Sequence, residues 1–500
     1  MAKLRKKSRI IRFIAALAVS CLLLAGCQDA GESSKADEST PVPTERTDAS
    51  AAETAREENG TGFRVGFSRI SIMPEDSVPL GGYGNTSRRM SNGSMDNIYV
   101  QCVFITDEND DSLILMFYDA IRVGSWLSST RAQVSRATGV PEDRIYCAAS
   151  HSHSTPDTAN TAESSILRYL MDLPVIGANA AREAMEDRAP ATMSVGSTEV
   201  EKMNFVRHYL LSNGTYAGDN YGDFSSGTVV GHETEADHLM RILVFEREEK
   251  QDILLANWQC HPTFLDFGSL DVSSDFVGYF RKGVEKEIDA YCVYWQGAAG
   301  NINPRSKIQE ETPTRDLKEF GEKLSAYAVD VYRNGLQAVE SGPIKTAKEI
   351  YKAEADHSED EKVNGATIVN DIWVRTNDRT AAAEEGKKYG IHSAYHAGAI
   401  LTKRSRGATV DVELNAAVIG GIAFATFPGE MFDVTGIYIR EQSAAAMTFI
   451  MGYCNGNVSY MPADYAYDNT CYEADVSPFA KGTAEKVAVR LSEMISALGR

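Results

Sequence analysis

Two apolar segments that each run into histidine constrain this chain more than any other feature of its sequence. Residues 145–149 lead into His151 and His153, and residues 253–260 lead into His261. Residues i and i+2 of an extended strand point to the same side, so His151 and His153 face one site. Because α/β sheets keep their chemistry at the carboxyl ends of strands, the pattern predicts an α/β protein with a mixed β-sheet core and flanking helices, in which the strand ends hold a metal site or, alternatively, an acid/base pair of histidines. For His-x-His alone, the alternative is a polar loop in which the histidines cap backbone groups.

The first 26 residues have the composition of an export signal. Six lysines and arginines precede an apolar run over residues 13–24, and no acidic residue occurs before Cys27. Such a segment is typical of a cleaved signal peptide rather than of a membrane-spanning helix. The sequence Leu-Ala-Gly-Cys at 24–27 resembles a bacterial lipoprotein box, which makes Cys27 the lipidated first residue of the mature chain. An ordinary signal peptide cleaved nearby is the alternative. We predict an exported protein, lipid-anchored on the extracytoplasmic face of the bacterial cell membrane.

Composition divides the rest of the chain into a tether and a folded region. Between residues 28 and 60 there is no aromatic residue, leucine, isoleucine or methionine. This segment buries too little apolar surface to offset its ordering entropy, so residues 27–62 are predicted to be the lipidated cysteine and a disordered tether. Residues 63–500 are predicted to form one catalytic domain, in which the charged residues 345–406 are interpreted as a lid or side wall. The net charge of −20 argues against nucleic acid as a partner.

Hydrophobic periodicity predicts the main elements of the folded region. Strands are predicted at 98–106 and 112–118, as a hairpin, and at 239–245, 253–260, 409–419 and 422–427. Helices are predicted at 126–138, at 164–187 with an interruption near Pro174, at 316–336 and at 483–498. Asp119, at the end of the hairpin, is interpreted either as a residue that orients a ligand histidine or as a turn residue.

Six cysteines follow the lipoprotein box. Cys102, Cys147, Cys260 and Cys292 lie inside apolar runs and are predicted to be small buried hydrophobic residues. Cys454 and Cys471 flank a loop of turn residues, and in an exported protein they form either a disulfide or two separate thiols.

Several short motifs resemble those of the neutral ceramidases. Ser-His-Ser-His-Ser-Thr-Pro at 150–156 resembles the His-Thr-His-Ser-Gly-Pro signature of that family, and Cys-His-Pro-Thr at 260–263 resembles its second histidine segment. Pro-Gly-Glu at 428–430 is similar to a segment whose glutamate binds metal, and the twelve residues from Tyr460 to Tyr472 equal the spacing between a ligand tyrosine and a substrate-contacting tyrosine. The resemblance implies one zinc ion per chain, bound by His151, His261, Glu430 and Tyr460. From the residues alone, Glu430 is equally a helix-start acid and Tyr460 a packing residue.

The catalytic candidates come from the same resemblance. Arg207 matches the active-site arginine of the family, and pairing with a surface acid is the alternative. Residues 271–279 resemble the Ser-Asp-Asn-x-Gly-Tyr motif, whose serine, here Ser274, is an active-site residue; a helix N-cap is the alternative. Residues 300–304 resemble the Gly-Asp-x-x-Pro loop, with Asn301 in place of aspartate. The resemblance implies that four residues position substrate, move protons or stabilise an oxyanion: His153, Arg207, Ser274 and Tyr472. Whether Ser274 is a nucleophile or a substrate binder stays open.

The combined motifs imply a hydrolase. Two histidines, one glutamate and one tyrosine offer the nitrogen and oxygen ligands that Zn²⁺ accepts. The resemblance, which spans residues 63–499, implies a zinc-dependent amidohydrolase that cleaves the N-acyl amide bond of a ceramide-like lipid to a fatty acid and a sphingoid base. Full neutral ceramidases continue into a C-terminal immunoglobulin-like domain, whereas no such domain is expected here after the helix at 483–498. The alternatives are a zinc hydrolase of another N-acyl amide or ester, and a non-catalytic lipoprotein that captures a ligand.

Overall fold

The computed structural model of the protein describes residues 63–84, 89–159, 163–219, 221–308, 311–469 and 471–500. The predicted signal peptide, Cys27 and the tether up to residue 62 lie outside the described residues. Within the described part of the chain, no helix is both long enough and apolar enough to cross a membrane.

The strands are β1 Arg64–Ser71, β2 Gly93–Ser94, β3 Tyr99–Thr106, β4 Ser112–Tyr118, β5 Ile145–Ala149, β6 Ala189–Glu199, β7 Phe205–Val206, β8 His208–Leu211, β9 Tyr216–Gly218, β10 Val229–His232, β11 Leu239–Arg247, β12 Asp252–Trp258, β13 Asp271–Val272, β14 Ala290–Gln296, β15 Ile302–Asn303, β16 Gln337–Val339, β17 Ile344–Glu354, β18 Thr409–Ile419, β19 Ile422–Thr426, β20 Glu430–Met431, β21 Met447–Met451 and β22 Tyr460–Met461.

The helices are α1 Leu127–Thr138, α2 Ser164–Glu186, α3 Phe276–Glu287, α4 Leu317–Asn334, α5 Val363–Thr376, α6 Arg379–Gly386, α7 Ala394–Arg404, α8 Asp433–Glu441, α9 Asp464–Asp468, α10 Tyr472–Val476 and α11 Thr483–Leu498.

A large mixed sheet forms the centre of the fold. Its strand order is β14-β12-β11-β6-β1-β3-β4-β5, with β16 beside β6. β4 and β5 are parallel, as are β12 and β14, and the other neighbours are antiparallel. β3 and β4 form the hairpin that the sequence predicted. The predicted α/β class with a mixed sheet and flanking helices is therefore confirmed.

A second sheet, β17-β18-β19-β21, packs on one face of the large sheet. Between the sheets, the ring of Trp295 stacks on Phe424 at 5.4 Å and on Phe449 at 5.6 Å. The hydroxyl of Tyr146 donates to the carbonyl of Ala416 at 3.2 Å. Helices α1 to α4 cover the outer face of the large sheet, and α8 and α11 cover the second sheet. Both faces of the central strands are thus buried, which explains their continuous apolar runs.

The large sheet curls so that its two edges approach each other. The ring of Phe117 on β4 lies edge-on to Trp295 on β14, with 5.5 Å between ring centres. The side-chain amide of Gln296, at the end of β14, donates to the carbonyl of Ser150, just after β5, at 3.2 Å. The backbone N–H of His153 donates to the carbonyl of Pro262 at 3.2 Å. The curvature therefore brings the segments that follow β5 and β12 together, although these strands lie far apart in the strand order.

Helix α2 differs from its prediction because it continues through Pro174. Proline removes one backbone hydrogen bond from a helix, and the sequence therefore indicated an interruption there. Pro174 lies on the buried side of α2, which packs against α1, β1 and β3. This tertiary packing holds the helix together across the missing bond.

The disulfide considered for Cys454 and Cys471 is wrong, since both residues are buried free thiols. Cys454 belongs to the core between the two sheets, whereas Cys471 belongs to a separate cluster with Phe432. The prediction that the other four cysteines are buried is confirmed.

Asp119 lies in the bend that follows β4, which agrees with its interpretation as a turn residue. Its carboxylate receives two hydrogen bonds from Arg281, at 2.7 and 2.6 Å, and one from the backbone N–H of Tyr99 at 2.9 Å. Its role is to pair with a buried arginine and so to fasten α3 to the sheet.

Candidate active site

Two of the predicted metal-binding histidines and Glu430 converge on one point. The Nε2 atom of His261 lies 3.1 Å from Oε2 of Glu430, and Nε2 of His151 lies 3.3 Å from the same oxygen. The Nδ1 atoms of both histidines face backbone carbonyls, that of Ile121 at 2.6 Å for His151 and that of Ile302 at 3.0 Å for His261. These contacts assign the proton of each ring to Nδ1 and leave the Nε2 lone pair directed at the convergence point.

This arrangement fits a bound cation. Two Nε2 lone pairs and a carboxylate oxygen face one another without a proton between them, and a positive ion removes their mutual repulsion. Burial lowers the pKa of His261 to about 4, so its imidazole is neutral at pH 7, the form that binds metals. His151, His153 and His261 form a buried group whose nitrogens lie within 4.8 Å of one another. Histidine and glutamate are ligands of catalytic zinc sites, so the donor set suits Zn²⁺.

Tyr460 lies beside Glu430 because β20 and β22 pair in parallel register, with Glu430 opposite Tyr460. The phenol oxygen of Tyr460 accepts a hydrogen bond from Nη2 of Arg207 at 3.1 Å. Burial and the Glu430 carboxylate raise the pKa of Tyr460 well above its ordinary value. Tyr460, the fourth predicted ligand, therefore lies next to Glu430, and Arg207 donates a hydrogen bond to the phenol oxygen of Tyr460.

Arg207 is held by a buried chain of charged groups. Its Nε donates to Oε1 of Glu473 at 2.7 Å, and Oε2 of Glu473 lies 2.9 Å from Nε2 of His208. Nδ1 of His208 in turn lies 2.9 Å from Oε2 of Glu233. Burial alone would lower the pKa of His208, but the carboxylates of Glu473 and Glu233 raise it to about 9. Positive and negative charges thus alternate along this row of hydrogen-bonded side chains. They fix the guanidinium of Arg207 against Tyr460.

A cavity of about 570 Å³ opens beside this cluster. Four of the predicted residues line it: His153, Arg207, Tyr460 and Tyr472. Nε2 of His153 lies 3.3 Å from Nε2 of His151, and burial lowers the pKa of His153 well below its ordinary value. The ring of Tyr472 meets that of Tyr460 edge-on at 5.8 Å, and burial raises the pKa of Tyr472 to about 12. The rest of the described lining is Gly82, Tyr83, Gly84, Asp219, Thr263, Asn303, Pro304, Arg305, Ser306, Lys307, Thr312, Arg315 and Tyr395.

Three residues in or beside the predicted site motifs have strained backbone conformations. His151 has a φ of +66°, and Ser459, which precedes Tyr460, has a φ of +72°. Asp275 combines a φ of +59° with a ψ of −148°, a region that residues other than glycine rarely enter. Such conformations each cost about 1–3 kcal/mol and persist where the surrounding structure requires them, most often at functional sites.

Two solved structures resemble this fold. A crystal structure of neutral ceramidase from Pseudomonas aeruginosa aligns with a TM-score of 0.66 and 16% sequence identity, over 88% of this chain and 74% of the other. The chain has the fold of neutral ceramidase. A ceramidase complexed with C2 also aligns with a TM-score of 0.66, at 15% identity, over 88% of this chain and 75% of the other. Neither the protein-family models nor the curated proteins contain a match.

Seven of the eight site residues predicted from the neutral ceramidase motifs lie in the metal-ligand cluster or in the cavity lining, and Ser274 lies in neither. Ser274 is fully buried, and its hydroxyl donates to the carboxylate of Asp96. It is not part of the cavity lining given above. The alternative interpretation of Ser274 as a helix cap is wrong, because Asp275 caps α3 by accepting from the N–H of Phe276 at 2.7 Å. The catalytic role of Ser274 stays a prediction.

Asn303 is a cavity residue that the sequence reasoning passed over. Its Nδ2 donates to Oδ2 of Asp219 at 2.5 Å, and its buried Oδ1 has no hydrogen-bond partner among the described residues. It belongs to the loop that resembles the Gly-Asp-x-x-Pro segment of the neutral ceramidases, so the motif was noticed but this position in it was not. Asn301 of the same loop has a structural role, since its Nδ2 donates to Oδ1 of Asp433 at 2.8 Å.

Tyr83 and Gly82 also reach the site, from the glycine-rich turn at 81–84. The ring of Tyr83 meets that of His153 edge-on at 4.8 Å. Gly82 has a φ of +91°, and a Cβ there would lie 2.3 Å from Cγ of His153. Glycine is required at this position both for its backbone conformation and for the close approach of the histidine.

The region at 345–406 contributes Tyr395 to the cavity wall. This region consists of most of β17 and of α5 to α7, whose small core contains Ala366, Val369, Ala382, Ile391, Ala397 and Ile400. The ring of Tyr395 lies 6.5 Å from that of Tyr472. The interpretation of residues 345–406 as a lid or side wall stays a prediction.

Proposed function

We propose that this protein is a zinc-dependent amidohydrolase that cleaves an N-acyl amide bond. The observation that carries the proposal is the convergence of His151, His261 and Glu430, with Nε2–Oε2 distances of 3.1 and 3.3 Å, beside a cavity that Arg207 lines. The fold shared with neutral ceramidase supports the same class of reaction. Ceramide, after which those neighbours are named, is the first substrate to test, with a fatty acid and a sphingoid base as the expected products.

His151, His261 and Glu430 would bind the zinc ion, with Tyr460 as the fourth ligand. Bound zinc supplies Lewis-acid chemistry, since it activates water and polarises an acyl carbonyl group. The remaining steps belong to the protein. His153 lines the cavity, and as the proton carrier it would take a proton from the attacking water and return it to the leaving nitrogen.

Arg207 and Tyr472 would stabilise the charge that develops on the substrate. The guanidinium of Arg207 stays positive because burial is outweighed by Glu473 and by the oxygen of Tyr460, which raise its pKa well above the ordinary value. Its orientation is set before substrate arrives by the 2.7 Å bond to Glu473. Donors fixed in this way stabilise an oxyanion without reorganisation. The phenol of Tyr472, neutral at pH 7, is a second donor on the cavity wall.

Metal content and turnover of the purified protein test this proposal. We expect one zinc per chain, loss of zinc in both His151→Ala and His261→Ala, and amide hydrolysis that a chelator abolishes and added zinc restores. His238→Ala is the matched control, because His238 bonds to the amide oxygen of Asn204 at 2.8 Å and lies outside the cluster. Stoichiometric zinc in both alanine variants, or full hydrolysis after chelation, would contradict the proposal.

We also propose that Cys27 attaches the protein to the extracytoplasmic face of the bacterial membrane. The Leu-Ala-Gly-Cys sequence at 24–27 and the apolar run before it support this anchor. Cys27→Ser should move the protein from the membrane fraction to the soluble fraction, and an unchanged distribution would contradict it.

A further inference from the structure

The cavity concentrates positive charge in an acidic protein. Its described lining contains four cations, Arg207, Arg305, Lys307 and Arg315, and one carboxylate, that of Asp219. The whole chain has a net charge of −20. The excess of cations is therefore a local property of the cavity. Clefts lined by charges of one sign raise the local concentration of ligands of the opposite charge.

Two of these cations have no carboxylate partner among the described residues. Arg207 is paired with Glu473, and Nζ of Lys307 lies 3.3 Å from Oδ1 of Asp219. Arg305 donates instead to the backbone carbonyls of residues 263 and 264, at 3.3 and 3.2 Å, and its guanidinium lies 5.0 Å from the ring centre of Phe264. These contacts hold Arg305 in place without neutralising it. Arg315 is exposed and forms no ion pair within the described residues.

The same lining offers little to an alkyl chain. It contains no leucine, isoleucine, valine, methionine, phenylalanine or tryptophan, and its large aromatic side chains are four tyrosines: Tyr83, Tyr395, Tyr460 and Tyr472. Sites for apolar ligands are lined predominantly by hydrophobic side chains. A neutral lipid with two long chains would therefore leave most of its apolar surface without a complementary wall.

We infer that the cavity selects N-acyl compounds that carry an anionic group, and that Arg305 and Arg315 bind this group. The inference rests on the proposed hydrolase function and names its substrate class. A guanidinium donates charge-assisted hydrogen bonds to a carboxylate, sulfonate or phosphate, and these are stronger than its hydrogen bonds to a neutral group. Water adds its oxygen to the acyl carbon, the C–N bond breaks, and the nitrogen takes up the proton. The products are a carboxylic acid and an amine, one of which retains the anionic group.

Matched substrates of equal acyl length test this selectivity on the zinc-loaded full chain. We expect kcat/KM for N-hexanoylglycine and N-hexanoyltaurine to exceed that for the neutral N-hexanoylglycinamide and for a short-chain ceramide by at least 10-fold. This advantage should shrink in 0.5 M NaCl, because salt screens exposed charges. The ratio of kcat/KM for N-hexanoylglycine to that for N-hexanoyltaurine shows whether the cavity prefers a carboxylate or a sulfonate.

Charge-removing variants assign the selectivity to the two arginines. Arg305→Gln and Arg315→Gln should each lower kcat/KM for N-hexanoylglycine by about 10- to 100-fold, the usual effect of a lost charge-assisted hydrogen bond, and leave N-hexanoylglycinamide within 3-fold. Arg375→Gln is the matched control, because Arg375 is an exposed arginine on α5 that pairs with Asp371 outside the cavity.

Binding to the chelator-treated full chain, measured by titration calorimetry, separates the inference from the hydrolase proposal. We expect N-hexanoylglycine to bind at least 10-fold more tightly than N-hexanoylglycinamide, and Arg305→Gln to abolish the difference. Equal turnover and equal binding of the charged and neutral compounds, or a preference for ceramide, would overturn the inference and leave the hydrolase intact. Selective binding without turnover of any compound would overturn the hydrolase and retain the anion selectivity.

Discussion

His208 should make the stability of this protein depend on pH in the alkaline range. Its side chain is fully buried, with Nε2 at 2.9 Å from Glu473 and Nδ1 at 2.9 Å from Glu233. Both nitrogens therefore donate to carboxylates, which requires the charged imidazolium. Despite burial, the two carboxylates raise the pKa of His208 from its ordinary 6.5 to about 9.

The sign and size of the effect follow from this pKa. A group whose pKa is higher in the folded state contributes its full stability below the unfolded-state pKa of 6.5 and loses it as the pH rises through the folded-state pKa of about 9. Each pKa unit is worth about 1.4 kcal/mol, so the contribution that is lost amounts to about 3 kcal/mol. At alkaline pH, the neutral imidazole of His208 donates to only one of the two carboxylates. The other carboxylate then faces the unprotonated ring nitrogen, which is itself an acceptor.

Urea unfolding of the wild type and of His208→Gln at pH 6, 7.5, 9 and 10 measures this contribution. A chelator is included, because metal affinity also depends on pH. We expect the free energy of unfolding of the wild type to fall by about 3 kcal/mol more than that of His208→Gln between pH 6 and pH 10. Glu233→Gln, which retains Glu473 and removes one of the two carboxylates, should give an intermediate dependence.

Parallel pH profiles for the wild type and His208→Gln would refute this reasoning. They would mean that His208 is neutral in the folded protein at pH 7. The alternating charges from Glu233 through His208 and Glu473 would then not exist, and Glu473 alone would orient Arg207.

Two further substitutions test the geometry of the site. Gly82→Ala should lower turnover by about 100-fold with zinc retained, because the new Cβ would lie 2.3 Å from His153 and displace its ring. Gly139→Ala is the control, since Gly139 also has a positive φ but nothing lies within 4 Å of the new Cβ. This control variant should leave turnover unchanged. Equal turnover of the two variants would contradict the role given to His153. Ser274→Ala should destabilise the fold by about 1–3 kcal/mol in urea unfolding, since the buried carboxylate of Asp96 loses a donor, and should lower the turnover of folded, zinc-loaded protein by roughly 100- to 1000-fold, as the catalytic role predicted for its hydroxyl requires. A loss of less than 10-fold would instead limit the hydroxyl to its bond with Asp96.

Much of the local structure and part of the site were predictable from the sequence. The predicted helix at 483–498 has the same bounds as α11, and the predicted hairpin is β3 and β4. These elements depend on periodicity and turn residues within one short segment, which a sequence displays directly. The histidines after two apolar runs were visible for the same reason, because a strand carries its end to the edge of a sheet wherever that sheet lies. Glu430 and Tyr460 were identified only through their resemblance to known motifs.

The tertiary structure alone decided which side chains meet. β5 and β12 lie far apart in the strand order, and His151 and His261 share a site only because the large sheet curls. Arg207 is separated from Glu473 by 266 residues, so no local pattern indicates their pairing. Ser274 bonds to Asp96, 178 residues away, and no rule of spacing distinguishes that contact from a place in the cavity. Burial, charge pairing and close packing act between segments that the chain keeps apart, and their outcome depends on the whole fold rather than on any stretch of sequence.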